Sequence, residues 1–211
     1  MPSYKLTYFN GKARAEPIRY MMELKGISYE DHRIESGKWP ELKAKIPLGQ
    51  VPILEIDGTP CPQSRALFRY MAREHGFYGS SAMEQLHVDV VCETVDDLWP
   101  GVYAIFGAEG DEKKSELRKK MADEGAMKHI SNLEKLLKKN NGGSGWFVGD
   151  KVTLADVMAF NMIYDLLPFV LSMKEGEFDL KEHDLLKAFV ERFKAQDKIA
   201  DWIKNRPVTS F

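Results

Sequence analysis

Cysteine is scarce. Cys61 and Cys92 are the only two in 211 residues, they form no C-x-x-C pair, and His87 is the single histidine near Cys92. This excludes a disulfide scaffold and a dithiol redox motif, and it leaves too few ligands for a zinc site. A net field is missing as well: 30 Lys and Arg against 32 Asp and Glu give a formal charge of −2. Nothing of that kind steers the molecule to nucleic acid or to an anionic membrane, so its partners are recognised at local sites. Long apolar runs are absent too. The most apolar stretch, Val157 to Leu171, is interrupted by Asn161, Asp165 and Pro168, and it falls short of the roughly 20 residues a bilayer span needs. The start, MPSYKLTYFNG, lacks the basic and apolar regions of a secretory signal. The expected setting is cytoplasmic, with both cysteines reduced. No internal repeat or low-complexity tract is visible.

What is present is enough for a core. At 44% hydrophobic and 29% charged, the chain reads as globular, with one or two domains. Up to about residue 75 the signals alternate. YKLTYF alternates as a strand, a helix follows Pro17 to Lys25, SYEDHRI and PILEI read as further strands, and a helix runs from Ser64 to His75. Asp57 to Pro60, DGTP, predicts an antiparallel hairpin leaving PILEI. GFYGSS then reads as a linker.

Beyond it the periodicity is helical throughout. Val91, Val95, Leu98 and Val102 share one stripe in a first long helix; Ala126, Ile130, Leu133 and Leu137 share another. Thr153 and Asp156 have the spacing of a capping box. Leu186, Phe189, Val190 and Phe193 mark one more helix, and DKIADWIKNRP a last one ended by Pro207. The expected domains are 1–79, mixed α/β, and 81–211, all helical.

Three stretches of the first unit carry chemistry. Tyr8 and Arg14 flank the turn at Gly11. In GQVPILEI, Gly49 and Gln50 lead to Val51 and Pro52. If the Val51–Pro52 bond were cis, the Val51 backbone would be free to pair with an extended ligand; an ordinary trans proline is the other reading. In QSRALFRY, Ser64 stands where a helix N-cap belongs, so its hydroxyl and the first-turn amides suit a carboxylate, or simply satisfy the cap. Gln63 adds an amide that both donates and accepts. Together these groups fit a short peptide held by its backbone and one terminal carboxylate.

The motifs YKLTYFN, RAEPIRY, YEDHRIES, WPELK, GQVPILEIDG, QSRALFRYMARE, VTLAD and WIKNRP resemble a sigma-class glutathione transferase, the group that includes hematopoietic prostaglandin D synthase. The resemblance spans essentially the whole chain. It implies a thioredoxin-like N-terminal domain, an all-α C-terminal domain that completes a hydrophobic substrate site, and a homodimer whose two sites each bind glutathione. By this resemblance Tyr8 is the catalytic tyrosine and Arg14 the arginine beside it. Trp39 and Lys43 embrace the glycine end of glutathione, Gly49, Gln50 and Val51 precede a cis-proline, and Gln63 and Ser64 take the γ-glutamyl end. Lys12, Ala13 and Arg65 depart from the usual pattern without removing a site residue.

Chemistry explains why a phenol and a guanidinium belong together at a strand end. A thiol of pKa about 8.5 is only slightly ionised at neutral pH, whereas a phenol of pKa about 10 keeps its proton and can donate it to sulfur. The implied activity is conjugation of glutathione to hydrophobic electrophiles. Isomerisation of a prostaglandin endoperoxide would use the same thiolate. A ligand carrier or crystallin is the non-enzymatic alternative, which the retained Tyr8, Arg14, Gln63 and Ser64 disfavour.

Asp89, Glu93, Asp96 and Asp97 are spaced to share a helix face. That face is solvated, or attracts a divalent cation at Glu93, Asp96 and Asp97, or, as the resemblance implies, lets Asp97 reach the glutathione amino group across the dimer.

Overall fold

The alternation in YKLTYF becomes β1 (Tyr4–Phe9), with Leu6 fully buried and Tyr8 7% exposed. The structure, a computed structural model, describes residues 2–209. After β1 a tight turn leads into α1 (Glu16–Lys25), whose second residue is Pro17. Proline costs little there because a first-turn N–H has no intrahelical acceptor. The helix carries the chain back to β2 (Glu30–Ile34), which pairs parallel to β1 with Tyr8 opposite Arg33. A parallel pair needs such a crossover.

After α2 (Trp39–Lys43) come β3 (Ile53–Ile56) and β4 (Thr59–Cys61), and the sheet order is β2-β1-β3-β4. The β3–β4 hairpin is the one DGTP predicts: Asp57 at φ 48° and Gly58 at φ 79° both take the left-handed conformation of a two-residue turn. The Val51–Pro52 bond is cis. The helix α3 (Ser64–Glu74) buries Leu67, Phe68 and Met71.

The remaining helices are α4 (Ala82–Asp96), α5 (Trp99–Gly107), α6 (Asp111–Lys120), α7 (Met127–Lys139), α8 (Leu154–Phe160), α9 (Leu167–Val170), α10 (Asp184–Lys194) and α11 (Asp197–Asn205). The stripe Val91, Val95, Leu98, Val102 is buried, but the expected first long helix is two. Pro100 has no N–H to continue the ladder, so the chain breaks after Asp96 and a new helix starts with proline in its first turn. π-helical turns at Met121–Ala126 and Asn161–Leu166 join α6 to α7 and α8 to α9. The capping box at the head of α8 is formed. Asp156 accepts from Thr153 N–H at 2.7 Å, Thr153 hydroxyl at 2.8 Å and Phe147 N–H at 2.8 Å. Among the described residues every strand ends by Cys61, and no helix is long and apolar enough to cross a membrane.

By their contacts, residues up to Phe77 and from Gln196 onward form one unit, and Tyr78–Ala195 a second. Thus α11, which the sequence reading assigns to the domain 81–211, groups with the first unit. The reason lies in Glu16, which is fully buried at the start of α1. Its Oε1 accepts from Arg206 at 2.6 Å and from Trp202 Nε1 at 2.7 Å, and its Oε2 from Arg19 at 2.9 Å. Burial raises the Glu16 pKa, but the charges of Arg19 and Arg206 outweigh it and hold the carboxyl below its ordinary range.

A carboxyl lowered in this way contributes its stability in full above its unfolded-state pKa and loses it as pH falls through the folded one. Glu16→Ala should therefore cost about 3–5 kcal/mol at neutral pH, the range for leaving buried charges uncompensated. Urea unfolding measures it, and the gap between the two proteins should narrow at acid pH, below the ordinary glutamate pKa of about 4.3.

Candidate functional site

Everything predicted for the site except Asp97 comes from the first unit. Tyr8 sits at the end of β1, with its ring edge-on to Phe9 at 5.5 Å between centroids; Phe9 meets Trp39 of α2 edge-on at 5.0 Å. This aromatic series joins the strand end to the segment carrying Lys43. A Cβ built on Gly49 would lie 3.4 Å from Lys43 Cγ and from its carbonyl oxygen, so α2 and the loop Gly49–Gln50–Val51 are also in close approach. The register of β1 with β3 runs from Tyr4 opposite Ile56 to Thr7 opposite Ile53. It thereby brings the cis Val51–Pro52 pair beside the strand end that carries Tyr8.

Arg14 lies in a short 3-10 turn, Ala13–Ala15, that leads into α1, and it is 9% exposed. A guanidinium so shielded acts through a weaker solvent screen than a surface arginine. The turn is held from behind: Arg19 donates to the Gly11 carbonyl at 2.7 Å, and Ala15 N–H and Glu16 N–H both bond to the Lys12 carbonyl.

One expectation is corrected at α3. Ser64 is the first residue of that helix, and Gln63 holds the cap position with φ 78° and no side-chain bond closing the turn. Its carbonyl takes the first intrahelical bond, from Leu67 N–H at 3.0 Å. The left-handed backbone at a non-glycine residue is costly and is found mainly where a site requires it. It leaves the Gln63 side chain exposed next to the first-turn amides, which have no intrahelical acceptors.

The acidic residues are corrected too. Asp96 is 2% exposed and Asp97 is exposed just past the end of α4, while Asp89 accepts from the Tyr78 hydroxyl at 2.6 Å. Their spacing still puts all four on one side of the helix, but only Glu93 and Asp97 are exposed, so that side is not a solvated face throughout. Among the described residues no three histidine, cysteine or acidic side chains converge as metal ligands. Asp97 instead borders a cleft of about 480 Å³ within the second unit, with Leu98, Gly101, Met121 and Lys128.

Spacing alone names no side chain of the helical unit for an apolar substrate. Tyr103 and Phe106 are large aromatics left exposed on α5; Trp99 contacts Tyr103 at 5.4 Å and Phe169 contacts Phe106 at 5.7 Å. Their spacing, 99, 103 and 106, places them on one side of the helix.

Comparison with known proteins agrees with this architecture. Residues 4–73 match the glutathione S-transferase N-terminal domain family, and residues 96–206 its C-terminal domain family. The chain is 39% identical over 212 residues to S-crystallin SL11 of Nototodarus sloanii, covering 100% of both. To hematopoietic prostaglandin D synthase of Homo sapiens it is 38% identical over 212 residues, covering 99% of both. The structure of monomeric Na-GST-3 from the hookworm Necator americanus superposes with a TM-score of 0.83 at 31% identity, covering 99% of this chain and 100% of that one. The chain belongs to the glutathione S-transferase family, on its sigma-class branch.

Gly49 tests the approach of α2 to the loop. At φ 58° an added methyl is strained in the backbone, while its 3.4 Å approach to Lys43 is ordinary contact. Gly49→Ala should cost about 1 kcal/mol in thermal unfolding, the left-handed penalty for a non-glycine residue.

Proposed function

We propose that this protein binds glutathione on its first unit, activates it as the thiolate and conjugates it to hydrophobic electrophiles. The observation that carries this is the convergence of Tyr8, Phe9 and Trp39 in one edge-to-face series at the end of β1. It joins the candidate thiol donor to the candidate clasp for the glycine end. Tyr8 O–H donates to the sulfur and Arg14 adds positive charge behind it. Trp39 and Lys43 hold the glycine end, the Val51 backbone pairs with the cysteinyl part, and Gln63, Ser64 and the first amides of α3 take the γ-glutamyl carboxylate. Lowering a thiol pKa by about two units needs about 2.7 kcal/mol of preferential stabilisation of the thiolate. One hydrogen bond to a charged atom, at about 1.5–3 kcal/mol, supplies most of it.

In the helical unit, the aromatic face of α5 with Tyr103 and Phe106 suits the apolar part of the electrophile. The setting is cytoplasmic, and the working form is a homodimer in which Asp97 of each chain pairs with the glutathione ammonium group at the other's site. Met83, Leu86 and Val90, exposed at helical spacing along α4, support self-association. Turnover against a panel of electrophiles, with a prostaglandin endoperoxide among them and its product identified, distinguishes conjugation from isomerisation. Absence of turnover with every member would favour a carrier like the crystallin relative.

Tyr8→Phe should keep glutathione affinity within a few-fold yet lower conjugation by about 10²-fold or more, since only the donor to sulfur is lost. Ultraviolet difference spectra of the bound thiolate should show its pKa rising toward the free value. Asp97→Asn should weaken glutathione binding by roughly 1–3 kcal/mol and leave that pKa in place. In a mixed dimer of a Tyr8→Phe chain with an Asp97→Asn chain, both defects fall in one site, so about half the activity per dimer should remain. Activity well below half would mean that Asp97 acts within its own chain.

A further inference from the structure

The helical unit holds a serine, a histidine and a glutamate in hydrogen-bonded series, none of them among the residues assigned to glutathione. Ser131 and Glu134 lie three residues apart on α7 and so share a face. His183, the residue before α10, approaches both. Its Nδ1 is 2.5 Å from Glu134 Oε2, and its Nε2 is 3.4 Å from Ser131 Oγ. The other Glu134 oxygen accepts from Leu185 N–H at 3.3 Å. The backbone of the histidine is held as well: its N–H donates to the Leu180 carbonyl and its carbonyl accepts from Lys187 N–H, each at 3.0 Å.

These contacts define the tautomer. A carboxylate only accepts, so the proton facing Glu134 sits on Nδ1, and the lone pair of Nε2 faces the serine hydroxyl. That is the order nucleophilic catalysis requires: a hydroxyl, a base that can take its proton, and an acid that orients the base and stabilises its charged form. Tying α7 to α10 needs only the glutamate and the histidine. It does not need a hydroxyl on the far nitrogen. The side chains of His183 and Glu134 are 16% and 22% exposed, so a small substrate can reach the site while the pair is shielded from bulk solvent.

We propose that Ser131, His183 and Glu134 form a second reactive centre that hydrolyses short-chain carboxylic esters without glutathione. Ser131 Oγ bonds to the acyl carbon while its proton passes to Nε2. The bond to the alcohol oxygen breaks, and that oxygen leaves with the proton. Water then attacks the acyl-serine, giving one proton to Nε2, and Ser131 is released with that proton as the carboxylic acid departs. Nothing is oxidised or reduced. The 11-residue α10 begins directly after the base, and the Asp184 and Leu186 amides of its first turn offer partial positive charge to the tetrahedral oxygen.

The test uses the intact protein, free of glutathione, with a fluorophosphonate probe followed by peptide mapping, and with p-nitrophenyl acetate as ester. The expected result is a single adduct on Ser131, absent in Ser131→Ala and formed about a hundredfold more slowly in His183→Gln, as for loss of a general base. Ester hydrolysis should fall in parallel. Ser131→Ala should keep the wild-type melting temperature and the wild-type rate of glutathione conjugation, which separates failure of this centre from failure of the glutathione site. A folded wild-type protein that forms no adduct at Ser131 would overturn the proposal. So would ester hydrolysis that Ser131→Ala leaves unchanged.

Discussion

The first unit depends on one buried carboxylate. Glu16 has no exposure, yet it ends three separate donors, Arg19, Trp202 and Arg206, which come from α1, α11 and the residue just after α11. Arg206 also bonds the Tyr20 hydroxyl at 2.9 Å. Arg19 extends the network: it donates to the Gly11 carbonyl, and its guanidinium lies 3.0 Å from Asp31 on β2, which in turn holds Arg33 at 2.8 Å. A buried ionic network of this kind adds little net stability compared with apolar packing, because desolvation offsets most of the attraction. What it does impose is geometry. Each of these groups is satisfied in one arrangement only, so the chain end, the first helix and the first two strands take that arrangement together.

The candidate site inherits the constraint. Gly11 stands between Tyr8 and Arg14, and its carbonyl is the one Arg19 holds. Thus the turn between Tyr8 and Arg14 is held, through Arg19, by the buried Glu16 carboxylate. Stabilising a thiolate by a positioned donor works only if the donor does not have to reorganise when the charge forms. The Phe9 ring lies edge-on to the Tyr8 ring and is itself backed by Trp39. Site and scaffold are separable in role but share one short stretch of chain.

What could be read from the sequence follows from the range of the interactions. The strand at Tyr4–Phe9, the Asp57–Gly58 turn, the Thr153–Asp156 box and the stripes of α7 and α10 are local patterns, and the structure contains them. The Glu16–Arg206 bond joins residues 190 positions apart and has no periodic signature. For the same reason the periodicity of α11 carries no sign of its contacts with the first unit. The break after Asp96 was in principle legible in Pro100, but the apolar stripe continues across it from Val95 to Leu98 and Val102, which hides the interruption. Gln63 shows a different limit. Its sequence context reads as an ordinary helix start, and only the backbone reveals the left-handed turn at φ 78°.

A second buried carboxylate shows why Glu16 is suited to its place. Asp156 is also fully buried, and three donors from Phe147 and Thr153 point at it, but all three are neutral. Burial outweighs those hydrogen bonds and pushes its carboxyl up to about 6, whereas the arginines around Glu16 reverse the balance and push that carboxyl down. With its folded pKa above the unfolded one, ionised Asp156 opposes folding at neutral pH, and the fold gains stability as pH falls through about 6 toward the unfolded value near 3.9. Glu16 acts in the opposite direction, losing its contribution in the acid range. Neutral donors are therefore enough to start a helix inside the second unit, where Thr153 and Asp156 are three residues apart and the geometry is local. Joining the two ends of a chain across the first unit takes a carboxylate that stays ionised when buried, and for that full positive charges are required on the other side.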